Sequence, residues 1–369
     1  MFLPFAIIDT LLLIGFIFFE YKVFKIQLNT PLIIILSVLF FINLIVILTT
    51  PLNNVFEYMD KGIESVKEVI ISNEYKVMYI FCFLLLLLNI YISFIYLSNH
   101  IHFNKQFMWL CILGITIGLF MVIYSYITEW NTYKLFIENI ATTARSYNPK
   151  SITNNSNSYA AILLGAMFCS YGLYAVTNKH ICWIIGIFFL INIFFPMSRI
   201  CLILSFLLTL MIFAYKMYLS YKGNEKRNII LTLIVVSLLF IFLILYLSIA
   251  PMREYIENVI FTKNSSIISR IPLWEITLSM TTSVHNLFGN GHGYYNTALA
   301  TITDGSLKMP HNLYVQIFGA LGVVGLIVFT SIIAFLIYKI TILYKNNKEA
   351  SLISIIGLIT ILIYYIVEG

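Results

Sequence analysis

Residues 31–49 read PLIIILSVLFFINLIVILT, a run with no charged side chain. An α-helix needs about 20 such residues to cross the hydrocarbon of a bilayer. Runs of the same kind recur at 2–19, 77–97, 107–127, 159–176, 181–195, 200–218, 229–250, 313–337 and 351–367, which makes ten candidate spans. Together they predict an all-α, polytopic integral membrane protein: one membrane domain over 1–369 with no soluble domain appended. Pro196 separates the sixth and seventh runs and predicts a tight helical hairpin there. The chain stops at Gly369 with its tenth run barely finished, so a longer chain is expected.

The composition agrees. Charged residues are 10% of the 369, against about 25% in soluble domains. Hydrophobic residues are 60% and the mean hydropathy is +0.93. These values exclude a soluble globular enzyme, a disordered chain and a nucleic-acid binder. The net charge of +6 is carried by basic residues at the ends of apolar runs, the usual distribution in a multi-pass protein. The five cysteines lie in or beside apolar runs without CxxC spacing and read as small core residues. Residues 1–19 lack the basic start and cleavage site of a signal peptide and read as a retained span.

Lys and Arg set the orientation. Loops 20–30, 98–106, 177–180, 216–228 and 338–350 hold 11 basic and 3 acidic residues in short stretches. The alternate set, 50–76, 128–158, 196–199 and 251–312, holds 11 basic and 11 acidic residues over far more chain. The short basic set is therefore expected on the cytoplasmic side and the long loops outside, with the N-terminus also outside. Loop 251–312 is the largest polar piece, and a loop of that length is usually functional. It carries a helical pattern at 271–282 and a Gly-rich tip, Gly289-Asn-Gly-His-Gly293. Segment 55–72 reads either as an amphipathic surface helix, with Ile63, Val66 and Ile70 on one face, or as a solvated connection.

Arginine near a membrane is costly and tends to be functional. Arg145, Arg199 and Arg270 all fall on the expected outer side. Three guanidiniums, each a fixed fork of donors, can hold an anion such as a lipid pyrophosphate. Each alone reads equally well as an ion-pair partner or as a side chain snorkelling to headgroups. His311, after Pro310 and before Asn312, begins the ninth span; it reads as a neutral base or as a capping or interfacial histidine. Gly322 and Gly325 are spaced to let a neighbouring helix approach closely. His285 and His292 either line the same cleft as His311 or sit on the loop surface. The His100–His102 pair lacks acidic or thiol partners and is a poor metal site. A P-loop, an HExxH helix and a GxSxG elbow are missing from the sequence, as are paired carboxylates of DxD type in the outer loops. Metal and cofactor are therefore not expected.

From His311-Asn312, nine residues lead to Gly322-Val-Val-Gly325. This pattern resembles the histidine motif of the O-antigen ligase and polymerase family, bacterial membrane glycosyltransferases of the GT-C type. The resemblance extends to Arg145 with the Asn-rich opening of the fifth span, to Ser198-Arg199, and to Arg270, Trp274, Gly289 and Gly291 in that order. It runs from about residue 130 to 325; before that only the hydrophobic spans match. An R-x-x-x-L motif known in ligases reads Arg199-Ile-Cys-Leu-Ile203, with Ile in the last place.

The resemblance implies transfer of a glycan from undecaprenyl pyrophosphate to an acceptor hydroxyl at the outer face of the cytoplasmic membrane. The acceptor is a glycan or glycolipid, and the partners besides are membrane lipids, with no nucleic acid. His311 is then the expected base and Arg145, Arg199 and Arg270 the pyrophosphate site. Trp274, Asn312 and Tyr294 are candidate sugar contacts, with belt aromatics as the alternative for Trp274 and Tyr294. One base and one displacement imply inversion without a metal. Ligase and polymerase stay open, and a transporter or flippase of lipid-linked glycans is the rival from another class.

Overall fold

A computed structural model describes residues 30–49, 73–98, 103–138, 147–153, 155–196, 198–222, 274–275, 277–278, 283–292 and 311–368. Among them the chain is helical, in the order α1 Thr30–Thr49, α2 Asn73–Ser98, α3 Phe103–Thr128, α4 Trp130–Glu138, a 3-10 turn Ser151–Thr153, α5 Ser156–Thr177, α6 Ile181–Phe194, α7 Arg199–Lys222, α8 Ser283–Phe288, α9 Leu313–Asn346 and α10 Lys348–Glu368. Eight of these coincide with expected spans. Five contain stretches long and apolar enough to cross a membrane: Pro31–Leu48, Phe107–Thr128, Ser156–Thr177, Leu313–Lys345 and Lys348–Ile366. The apolar stretches Lys76–Ile92, Ile181–Phe194 and Ile200–Ile212 are shorter. The expected spans 2–19 and 229–250, segment 55–72 and the His100–His102 pair lie outside the described residues.

The chain divides into two compact units: Met1–Phe103 with Ser269–Lys339 and Tyr365–Gly369, and Asn104–Ile268 with Ile340–Tyr364. In the first unit α1 buries Leu36, Leu39, Asn43 and Ile47, spaced three or four apart on one helical face. Its other faces expose Ile34, Ile35, Val38, Phe41 and Ile45, as a lipid-facing helix does. Pro31 sits in the first turn, where its missing N–H has no intrahelical acceptor to lose. Leu36 and Leu39 of α1 and Phe83 and Leu87 of α2 form the core, and Leu321, Val324 and Val328 of α9 pack against it.

In the second unit α5 is central and buries eleven residues, from Tyr159 to Ala175. Asn155 caps its start, its side chain accepting from the N–H groups of Asn157 and Ser158, and Asn178 ends it in the left-handed region. Small residues set the helix spacing: a Cβ on Gly118 of α3 would overlap Ala166, and one on Gly186 of α6 would overlap the Tyr171 ring. Between α6 and α7 the chain turns at Phe195 and the buried Pro196, forming the hairpin the sequence predicts. The expected loop 128–158 contains a helix of its own, α4, which buries Tyr133 and Phe136.

Candidate functional site

His311 and Asn312 head α9, and the two residues divide the work there. Asn312 is the cap: its Oδ1 accepts the N–H groups of Tyr314 at 3.0 Å and Val315 at 3.1 Å. His311 is thus not the capping residue. It is half-buried and has φ +51, a left-handed conformation uncommon outside glycine and found at sites where the fold imposes it.

Nine residues into α9 the helix breaks. Gly322 has φ 64 and ψ −159, a region open essentially to glycine alone. Length explains why a break is tolerated. Residues 323–346 rise about 36 Å at 1.5 Å each, enough for the hydrocarbon core of about 30 Å. The half-helix 313–321, about 13 Å long, is therefore not needed to cross the membrane. It is free to aim His311 in its own direction.

The two motif glycines serve this break, and Gly322 also admits a close neighbour, as their spacing leads one to expect. A Cβ on Gly322 would overlap the backbone of Leu287 and come within 2.6 Å of the Gly289 nitrogen. What approaches is the backbone of the end of α8, at Leu287, and of Gly289 just after it. A Cβ on Gly325 would overlap Leu321, the last residue of the half-helix.

Carbonyls in the turn before a break lose helical partners, and here a loop replaces them. The Asn290 N–H donates to Gly319 O at 2.9 Å and the Gly291 N–H to Ala320 O at 2.9 Å. The Asn290 side chain adds a second bond to Gly319 O at 3.1 Å. The His292 N–H then donates to Oδ1 of Asn43, on α1, at 2.8 Å. Its ring lies 5.3 Å from that of Phe83 on α2. Burial pushes the His292 imidazole down to about 4. The Gly-rich tip is thus a clasp, closed over the break and tied to two other helices. The two bonds just before His292 fall in the last turn of the half-helix, about 12 Å along the axis from His311. The clasp and Asn43 are structural elements the sequence reading missed. The signal for Asn43 was an amide within an otherwise apolar α1; Asn290, between two glycines, looked like turn chemistry.

The arginines are placed less fully. Arg145 and Arg270, with Tyr294, lie outside the described residues, and Arg199 is described by its backbone, as the first residue of α7. Their surroundings are informative. Tyr147, two residues after Arg145, packs with Phe194 and Phe195 against Phe136, and Phe195 precedes Arg199 by four residues. One aromatic cluster therefore holds the segments flanking both arginines. The end of α3 secures the same loop. The Glu129 carboxylate accepts the N–H groups of Lys150 at 3.1 Å and Ser151 at 2.8 Å, and the Ser125 hydroxyl at 2.7 Å. Ser125 in turn contacts the Tyr133 hydroxyl at 2.9 Å. Glu129 was also missed, since a lone carboxylate after a span reads as a solvated end. Trp274 is half-buried in a helical stretch within the expected pattern at 271–282.

The fold and these elements define a multi-pass membrane protein with a broken helix that presents a histidine. Residues 184–330 match the family model described as O-antigen ligase, so over that stretch the chain is similar to that family. The matched stretch includes α6, α7, the large loop with its clasp, and α9 past its break. No curated protein and no solved structure matches the chain.

Proposed function

We propose that the protein transfers a glycan from undecaprenyl pyrophosphate to an acceptor hydroxyl at the outer face of the cytoplasmic membrane, with inversion and without a metal. His311 accepts the acceptor's proton as the hydroxyl oxygen attacks the anomeric carbon. The bond from that carbon to the pyrophosphate oxygen breaks, and the lipid pyrophosphate leaves with the electron pair. Arg145, Arg199 and Arg270 hold the pyrophosphate and stabilise the charge it gains. The observation that supports this best is His311 itself. It stands in a left-handed conformation at the head of a short, capped half-helix, inside the stretch that matches the ligase family.

Arg199 fits its role by depth. α6 has 14 residues and rises about 21 Å, well short of the roughly 30 Å hydrocarbon core. The turn before Arg199 then lies below the outer boundary, where an arginine is costly without an anion.

The test is transfer by the purified protein in liposomes, with lipid-linked donor and candidate acceptors. His311→Ala is expected to lower turnover by about 10²–10⁴-fold with donor binding retained. Arg270→Ala is expected to weaken donor binding as well, with partial rescue by Lys. Wild-type transfer by His311→Ala would remove the proposed base, and reversible loss of activity in EDTA would overturn the metal-free mechanism. A broken helix is also a device of transporters. In that second reading the protein flips lipid-linked glycan, and His311→Ala causes no selective loss of bond formation.

A further inference from the structure

We propose that Asn43, on α1 and far outside the stretch that matches the ligase family, is a positioning residue for His311. This rests on the assignment of His311 as the base. The route is short and every bond in it is a described contact. Oδ1 of Asn43 accepts the His292 N–H at 2.8 Å. The two residues before His292 bond the carbonyls of Gly319 and Ala320, the last turn before the break. The half-helix 313–321 is one rigid piece, so fixing its end at 319–320 fixes its head at 311–312. Gly322 supplies the freedom and the clasp removes it. Without the clasp, the half-helix would pivot on a single glycine.

The cost of Asn43 argues for the role. α1 is an apolar helix with a mean hydropathy of 3.0 over Pro31–Leu48. Asn43 is only 2% exposed, and among the described residues its Nδ2 has no hydrogen-bond partner. A half-satisfied amide in such a place is destabilising compared with leucine, unless its other half does something leucine cannot. What leucine cannot do is accept the His292 N–H. Asn290 repeats the pattern: it is fully buried and spends its side chain on a carbonyl freed by the break.

The experiment pairs hydrogen exchange with kinetics on the full chain in lipid nanodiscs, comparing wild type, Asn43→Leu and His311→Ala. Asn43→Leu is expected to raise exchange at least tenfold at amides 290–292 and 313–321, leaving 156–177 unchanged. Turnover should fall about 10–100-fold with KM for the lipid-linked donor within threefold, since a displaced base loses rate rather than binding. His311→Ala should lose turnover with wild-type exchange. Unchanged exchange in Asn43→Leu would overturn the clasp, and raised exchange with wild-type turnover would overturn the positioning role. Full activity in His311→Ala would instead overturn the base assignment, whatever Asn43 does. Should Asn43→Leu fail to fold, Asn290→Ala removes one bond of the clasp. A smaller change of the same kind supports the proposal, and wild-type exchange and turnover overturn it.

Discussion

Gly322 shows how much one residue can carry without announcing it. The motif His311-Asn312 … Gly322-Val-Val-Gly325 was legible in the sequence, and so was its importance. Its physical reason was legible only in part, because a glycine in an apolar run signals a close approach but not a break in its own helix. Gly322 does both: φ 64 and ψ −159 break α9, and the Leu287 backbone at the end of α8 fills the place of a Cβ. The consequence is measurable. Gly322→Ala puts a side chain into a backbone and holds alanine in a region costing about 1–3 kcal/mol. It is expected to lower the thermal unfolding midpoint in detergent clearly and to abolish transfer. Gly165→Ala is the control: its Cβ would meet nothing within 4 Å. In mid-helix α5 it should be neutral or stabilise by up to about 1 kcal/mol. Equal midpoints for the two variants would remove the break as a structural requirement.

At the level of elements, the sequence located the helices well and the loop's tertiary role poorly. The spans follow from apolar run length, a local property. The clasp depends on a bond between residues 249 apart in the chain, which no local pattern encodes. Its pH response follows from His292. Burial holds the folded-state imidazole at about 4, below its ordinary 6.5, so the unfolded loop binds more protons between those values. The contribution of His292 to clasp stability is therefore complete above pH 6.5 and is lost progressively as the pH falls towards 4. Its neighbours here, Phe83 by the ring and Asn43 by the backbone, carry no charge to offset this. Protection factors at amides 290–292, which remove the intrinsic pH dependence of exchange, are expected to fall as the pH drops across that window. His292→Phe, which keeps the aromatic contact and the backbone N–H, should flatten the response. A response that survives in His292→Phe would assign the titration to another group.

The molecule as a whole is constrained by the directions of its helices. In the first unit the clasp contacts Asn43 of α1, Phe83 of α2 and Ala320 of α9, which puts these three at one level. From there the shared core continues through Leu39 and Leu36, through Leu87, and through Val324 and Val328. Sequence numbers fall along α1 and rise along α2 and α9. Thus α2 and α9 run parallel, with α1 opposed to both. Two parallel spans are separated by an odd number of crossings. The sequence predicts five spans between them, 107–127, 159–176, 181–195, 200–218 and 229–250, the last outside the described residues. The charge rule says which way the set points: Lys216, Lys222, Lys226 and Arg227 before that run belong in the cytoplasm. On that expectation the clasp and His311 face outward, the side on which the proposed reaction takes its lipid-linked donor. Single cysteines at 224 and 311 in a Cys-free background decide it. An impermeant thiol reagent added to intact cells should label 311 and reach 224 only after permeabilisation. Labelling of 224 from outside would invert the assignment and place His311 on the wrong side of the membrane for its proposed reaction.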